Sequence, residues 1–148
     1  MKGYLDPSLD ADAFDEDDYF RTGDLGRFDT KGNLIITGRL KDVIIRKGEN
    51  ISAKELEDLL FQHPKVGDVA VVGLPDPSSG ERACAVVQTA AGAEPIGFDE
   101  MVAFLKDAGL MVQKLPEQLE LLDTIPRNAS GKVLKHVLRE QFGDPGRP

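Results

Sequence analysis

Cysteine is nearly absent from this 148-residue chain, with Cys84 the single example. An internal disulfide is therefore excluded, and no Cys/His spacing fits a zinc site. Cys84 lies inside an apolar run, which suits a buried structural thiol better than a nucleophile. Histidine is scarce as well, with two residues in the chain. His63 falls in Gln62-His63-Pro64, a sequence that stops a helix. It has no Ser, Cys or carboxylate partner at motif spacing, so it reads as a helix-end residue and not as a catalytic base. Long hydrophobic runs are missing: none reaches the roughly 20 residues that span a bilayer. The first residues lack the layout of a signal peptide. The expectation is a soluble, cytoplasmic protein without a transmembrane segment. Positive charge is in deficit, the net charge being −8, which argues against a nucleic-acid partner. No internal repeat is present.

The positive charge that exists is gathered into two islands. Between Arg39 and Lys54, five basic residues (Arg39, Lys41, Arg46, Lys47, Lys54) stand against Asp42 and Glu49. The second island is Ile125-Pro126-Arg127-Asn128-Ala129-Ser130-Gly131-Lys132-Val133-Leu134-Lys135. Val133, Leu134, Val137 and Leu138 have the spacing of a buried helical stripe. Ser130 is placed to cap that helix, and Gly131 lets the backbone bend or approach a ligand closely. Lys132 is then expected in the first helical turn, where free backbone N–H groups add positive potential. A mobile cation there suits phosphate or carboxylate. A capped surface helix with a solvated lysine satisfies the same local pattern, and both islands are compatible with ordinary solvated faces.

Taken in order, the chain starts with a polar stretch, Met1 to Asp18, ending in the acidic run Asp15-Glu16-Asp17-Asp18. It has no periodic apolar face and reads as a shapeless loop. Leu25 to Phe28 and Asn33 to Thr37 flank the turn cluster Asp29-Thr30-Lys31-Gly32, which predicts a β-hairpin. A lone hairpin is marginal in water, so further sequence is expected to cover it. From residue 41 the order is strand (Val43–Ile45), loop (Lys47–Asn50), helix, strand (Val69–Gly73), strand (Ala83–Thr89), helix, strand (Leu119–Leu122), helix. Ser52 and Glu55 form a capping box ahead of Leu56, Leu59 and Leu60. Phe98, Met101, Val102 and Leu105 mark the second helix, closed near Gly109. Leu74 to Gly80 reads as a Pro/Ser/Gly loop, and Asp144 to Pro148 as a frayed tail. The fold class expected is α+β: a small mixed sheet with helices packed on it, preceded by a β-hairpin belonging to a larger missing domain. The boundary is expected between residues 1–40 and 41–148.

Three stretches together resemble signature motifs of the adenylate-forming superfamily. They are Tyr19-Phe20-Arg21-Thr22-Gly23-Asp24-Leu25-Gly26, then Gly38-Arg39-Leu40-Lys41-Asp42-Val43-Ile44 with Gly48-Glu49-Asn50-Ile51, and then Pro126-Arg127-Asn128-Ala129-Ser130-Gly131-Lys132. His63-Pro64-Lys65-Val66 and Val69-Ala70-Val71-Val72-Gly73-Leu74-Pro75-Asp76 match its usual phrasing too. The superfamily contains acyl-CoA synthetases, peptide-synthetase adenylation domains and firefly-type luciferases. Its members are several times longer than this chain. Their large N-terminal domain carries a Ser/Thr/Gly-rich phosphate loop and a carboxylate-substrate pocket, and neither is found here.

The resemblance implies an acid–thiol ligase. A carboxylate attacks the α-phosphate of ATP, giving acyl-AMP and pyrophosphate, and a thiol, usually that of coenzyme A, takes the acyl group. By resemblance Lys132 is the adenylation lysine and an ATP contact. Asp24 accepts hydrogen bonds from the ribose hydroxyls, and Arg39 also contacts the nucleotide. Lys41 is the hinge, and Gly48, Glu49 and Asn50 form the loop facing the thiol. Magnesium is expected with ATP, held mainly by the missing domain, as ATP itself would be. The wording Arg46-Lys47-Gly48-Glu49-Asn50-Ile51 is closer to fatty- or aryl-acyl-CoA synthetases than to amino-acid activators. A non-catalytic interaction or regulatory module of the same fold, and part of a peptide-synthetase adenylation domain, stay open as alternatives. The isolated chain is expected to be inactive, with its own N-terminal domain as partner.

Overall fold

The chain divides at Lys41 into two units, Met1–Lys41 and Asp42–Pro148, in a computed structural model that describes residues 3–6, 8 and 10–143. The tail expected at 144–148 lies outside the described residues.

The first unit holds a one-turn helix, α1 (Asp10–Ala13), and two strands, β1 (Asp24–Phe28) and β2 (Leu34–Arg39). The strands pair antiparallel from Asp24↔Arg39 to Phe28↔Leu34, with an irregularity between Leu25 and Gly26. The turn between them is built on Asp29, whose carboxylate accepts from the Lys31 and Asn33 amides and from the Asn33 side chain. These bonds, the Asn33 side chain first, hold the Asp29 carboxyl below its usual range. The N-terminal stretch is less shapeless than its composition suggests. Phe14 and Phe20 form an isolated bridge and an edge-to-face ring contact at 5.6 Å, and Tyr4 joins Phe20 at 6.5 Å.

The second unit is a sheet between two helical layers. Its elements are β3 (Val43–Arg46), β4 (Glu49–Ser52), α2 (Ala53–Leu60), β5 (Val66–Asp76), β6 (Gly80–Thr89), α3 (Phe98–Asp107), β7 (Gln118–Leu121) and α4 (Lys135–Phe142). The strand order is β4-β3-β6-β5, and β7 pairs with β6. The β6–β7 pair is parallel and the others are antiparallel, so the sheet is mixed. Side chains alternate across a strand, which sorts β5 and β6 onto two faces. Val69, Val71, Ala83, Ala85 and Val87 meet Leu56 and Leu60 of α2 and Met101 and Leu105 of α3. Ala70, Val72, Leu74, Cys84 and Val86 meet Leu138 and Phe142 of α4 and Ile125. The α+β class expected from the sequence is what the structure has.

Three local readings need correction. Glu49 and Asn50 are not in a loop but begin β4, which pairs with β3 from Val43↔Ser52 to Arg46↔Glu49. The turn is only Lys47-Gly48, both at positive φ (49° and 83°), the geometry of a tight two-residue hairpin. The loop after β5 is also shorter than Leu74 to Gly80, because β5 runs on to Asp76 and β6 starts at Gly80. The third correction concerns the start of α4 and belongs with the lysine loop below. Ser52 does cap α2, accepting from the Glu55 amide at 3.3 Å.

Candidate active site

Lys132 stands on a turn, not on a helix. α4 begins only at Lys135, its N-cap position is Leu134, and no side chain caps it. Ser130 therefore is not the cap, and Lys132 lies before the first helical turn. The reason is that the 125–134 backbone closes on itself. Leu134 N–H donates to the Pro126 carbonyl, Asn128 N–H to the Lys132 carbonyl, and Gly131 N–H to the Asn128 carbonyl, each at 2.9 Å. Arg127 and Val133 form an isolated bridge across the base. Asn128 Oδ1 accepts from the Ser130 amide, the Ser130 hydroxyl and the Lys132 amide at 3.1, 2.8 and 2.8 Å. Gly131 sits at φ +82°, which any residue with a Cβ resists. Lys132 is exposed at the shoulder of this turn. Its backbone is held while its side chain keeps its freedom.

Arg127, quoted in the motif without a role, and Asp68 on the sheet brace the turn. Arg127 Nη1 donates to the Gly131 carbonyl at 2.6 Å, and Nη2 donates to Asp68 Oδ2 at 2.6 Å. Asp68 lies on β5, and its other oxygen accepts from the Val69 amide at 2.9 Å. The Asn128-x-Ser-Gly cluster was a legible turn signal. Asp68 carried no such signal, being 59 residues from its partner.

In the first unit, Asp24 and Arg39 are brought together across the hairpin. Arg39 Nε donates to Asp24 Oδ1 at 2.9 Å, and both side chains are partly exposed. An open pocket of about 390 Å³ beside them is lined by Thr22, Gly23, Arg39, Leu40 and Lys41. The larger hollow of this unit, about 780 Å³, is lined mainly by acids, including Asp10, Asp15, Glu16 and Asp18. Acidic walls disfavour a phosphate ligand, so the smaller pocket is the better nucleotide candidate. Lys41 is exposed in a short 3₁₀ turn, Leu40–Asp42.

Gly48, Glu49 and Asn50 project at the exposed end of the β3–β4 hairpin. That hairpin is anchored by side chains in place of a full strand ladder. Ile45 N–H donates to Glu81 Oε2 at 2.6 Å, and Lys47 N–H donates to the Ser79 carbonyl at 2.8 Å. Arg46 pairs with Glu117 at 2.5 Å and donates to the Gln113 carbonyl. Two basic side chains of the 39–54 island are thus engaged in ion pairs of the second unit, since Lys54 also pairs with Asp58 on its own helix. Among the described residues no hydrogen bond or ion pair joins Lys132 to residues 48–50.

His63 is buried, edge-on to Phe104 at 4.7 Å. Its Nδ1 accepts from the Lys65 amide at 3.2 Å, a helix-end role. Cys84 is fully buried, and burial pushes its thiol up to about 12. No group of three or more His, Cys, Asp or Glu among the described residues could hold a metal ion.

The sequence pattern of the AMP-binding enzyme C-terminal domain matches residues 55–132. The chain belongs to that family. Its relatives include the medium-chain fatty-acid–CoA ligase of Escherichia coli, 45% identical over 141 residues, 95% of this chain and 25% of that enzyme. The salicyl-AMP ligase / salicyl-S-ArCP synthetase of Mycobacterium tuberculosis is 41% identical over 97% of this chain and 25% of its own length. ATP-bound MatB from Rhodopseudomonas palustris superposes with a TM-score of 0.85 at 38% identity, over 93% of this chain and 27% of that one. This AMP-binding enzyme C-terminal domain and its preceding hairpin thus span about a quarter of the length of the curated relatives they match. Among the described residues no helix is long and apolar enough to cross a membrane.

Proposed function

We propose that the chain is the C-terminal part of an acyl-CoA synthetase, supplying the cation for adenylation and one wall of the thioester site. The observation that carries this is Lys132: an exposed ammonium on a backbone turn fixed by Asn128. It stands in a domain family whose relatives include a medium-chain fatty-acid–CoA ligase, and the chain superposes on MatB solved with ATP bound.

Adenylation brings a carboxylate against the α-phosphate of ATP, and negative charge builds on the attacking and bridging oxygens. A lysine whose backbone is already placed stabilises that charge without reorganising first. Asp24, with lone pairs beyond the one that Arg39 engages, can accept both hydroxyls of a ribose diol. Arg39 adds charge beside the same pocket. Lys41, exposed at the last residue of the first unit, is the hinge in this reading. A φ/ψ change at one such residue exchanges Lys132 for the Gly48-Glu49-Asn50 turn between the two half-reactions. Gly48, at positive φ and with open space about it, leaves room for the extended thiol arm of coenzyme A. Magnesium is expected to accompany ATP. No group of three or more His, Cys, Asp or Glu among the described residues of this chain could hold it. The likeness to the salicyl-S-ArCP synthetase favours a second reading, in which the acyl group goes to a carrier thiol in place of coenzyme A.

The test uses Lys132→Ala in the enzyme formed with its larger domain. Acid-dependent pyrophosphate release should fall by about 10² or more, the scale of losing a key electrostatic stabiliser. Transfer from supplied acyl-AMP to coenzyme A should survive. Equal loss of both steps removes the role assigned to Lys132.

A further inference from the structure

We infer that Asp68 and Arg127 form a brace that sets the orientation of Lys132, making both positioning residues for the adenylation step. The inference rests on the adenylation role proposed for Lys132. Its observations are the two ends of the Arg127 guanidinium. One end is tied to the sheet: Nη2 and Nε reach Asp68 Oδ2 at 2.6 and 3.3 Å. Asp68 is itself held, since its Oδ1 accepts from the Val69 amide and its side chain is only 22% exposed. The other end, Nη1, donates to the Gly131 carbonyl at 2.6 Å. That carbonyl belongs to the peptide unit whose N–H is the amide of Lys132, and the amide donates to Asn128 Oδ1. The peptide plane entering Lys132 is therefore gripped on both sides.

Such a grip matters for a step that depends on distance. Lysine is a point charge on a flexible four-carbon stem, so its reach is governed by where its Cα is placed. Arginine's planar fork can hold a carboxylate and a carbonyl at once, whereas an ammonium at 127 has no such fixed geometry. An exposed ion pair contributes little to stability, so this pair's cost of loss should appear in rate and not in folding. Nothing in the thioester step uses Lys132, so that step should be indifferent to the brace.

The experiment compares Asp68→Asn, Arg127→Lys and the exchanged pair Asp68→Arg/Arg127→Asp in the enzyme carrying its larger domain. Acid-dependent pyrophosphate release, acyl transfer from supplied acyl-AMP, and melting temperature are measured for each. In this chain alone, 15N relaxation reports the order of the Gly131 and Lys132 amides. Both single variants should slow the turnover of adenylation on the order of 10- to 100-fold, as small misplacements do. The KM for ATP and the transfer step should hold, and the two amides should become more mobile. Melting temperature should hold in all three variants, and the exchanged pair should not restore adenylation, because a carboxylate at 127 cannot donate to the Gly131 carbonyl. Recovery of adenylation by the exchanged pair, or equal slowing of both half-reactions, overturns the brace. Lys132→Ala run alongside separates the two levels. If it leaves adenylation intact, the role of Lys132 fails; if it abolishes adenylation while the Asp68 and Arg127 variants keep it, only the brace fails.

Discussion

At the scale of single residues, the chain separates groups built for reactivity from groups built for packing. Cys84 belongs to the second kind. Its thiol is enclosed by α4 and the sheet, and its pKa of about 12 stands above the ordinary 9.0. Native protein at pH 8 should resist thiol-modifying reagents, and denatured protein should react at once; fast labelling of the folded chain would contradict its burial. The sign of the pH effect follows. The unfolded thiol ionises near 9 while the folded one stays protonated to about 12, so stability falls as pH rises through that window. Asn128 carries a different load. One side-chain oxygen accepts three donors of the lysine turn. Asn128→Ala should cost about 0.5–1.5 kcal/mol in chemical denaturation, the net worth of a hydrogen bond whose exposed donors can turn to water. Amide hydrogen exchange at Ser130 and Lys132 should quicken, and an unchanged exchange rate at Lys132 would show that the turn holds itself.

At the scale of elements, α4 shows how a helix can be recognised correctly and placed wrongly. Its apolar spacing is real: Leu138 and Phe142 are buried against β5 and β6, while His136 points to solvent. Leu138→Ala should cost about 2–5 kcal/mol in a urea melt, against almost nothing for His136→Ala. Similar costs at the two positions would mean that α4 is not docked by that face. Its start was misplaced because Val133 and Leu134 continue the same spacing into the turn. Periodicity reports which residues face a core, not which backbone hydrogen bonds they make. β4 was missed for a related reason. Lys47 at positive φ is an uncommon occupant of a tight hairpin, so Lys47-Gly48-Glu49-Asn50 carries the composition of a longer loop.

At the scale of the whole molecule, the two units differ in how they are stabilised. Both hydrophobic clusters lie entirely beyond residue 43, and none of the described residues from 3 to 41 is buried. A chain starting at Asp42 should therefore unfold in one cooperative transition. Its midpoint should lie within about 4 °C of the parent's, less than the shift that 1 kcal/mol brings in a domain of this size. A larger loss would mean that the hairpin unit stabilises the sheet. The 148-residue chain by itself is expected to release no acid-dependent pyrophosphate, which a coupled phosphate assay can check. The side chains proposed for adenylation, Asp24, Arg39 and Lys132, are all at least partly exposed in this chain.

The sequence alone determined the elements other than α1 and β4, their buried faces, the resemblance to adenylate-forming enzymes and the presence of a lysine in a turn-prone stretch. These are written in short windows: a period of two or 3.6, a capping serine, a cluster of small residues. The tertiary structure decided that Lys132 precedes its helix, that Arg46 of the 39–54 island is paired with Glu117, and that Arg127 grips Gly131 from Asp68. Such facts depend on partners far apart in the chain, 59 residues in the last case and 36 between Ile45 and Glu81. No local pattern marks which distant carboxylate an arginine will meet, because that is set by how strands align once the sheet has formed.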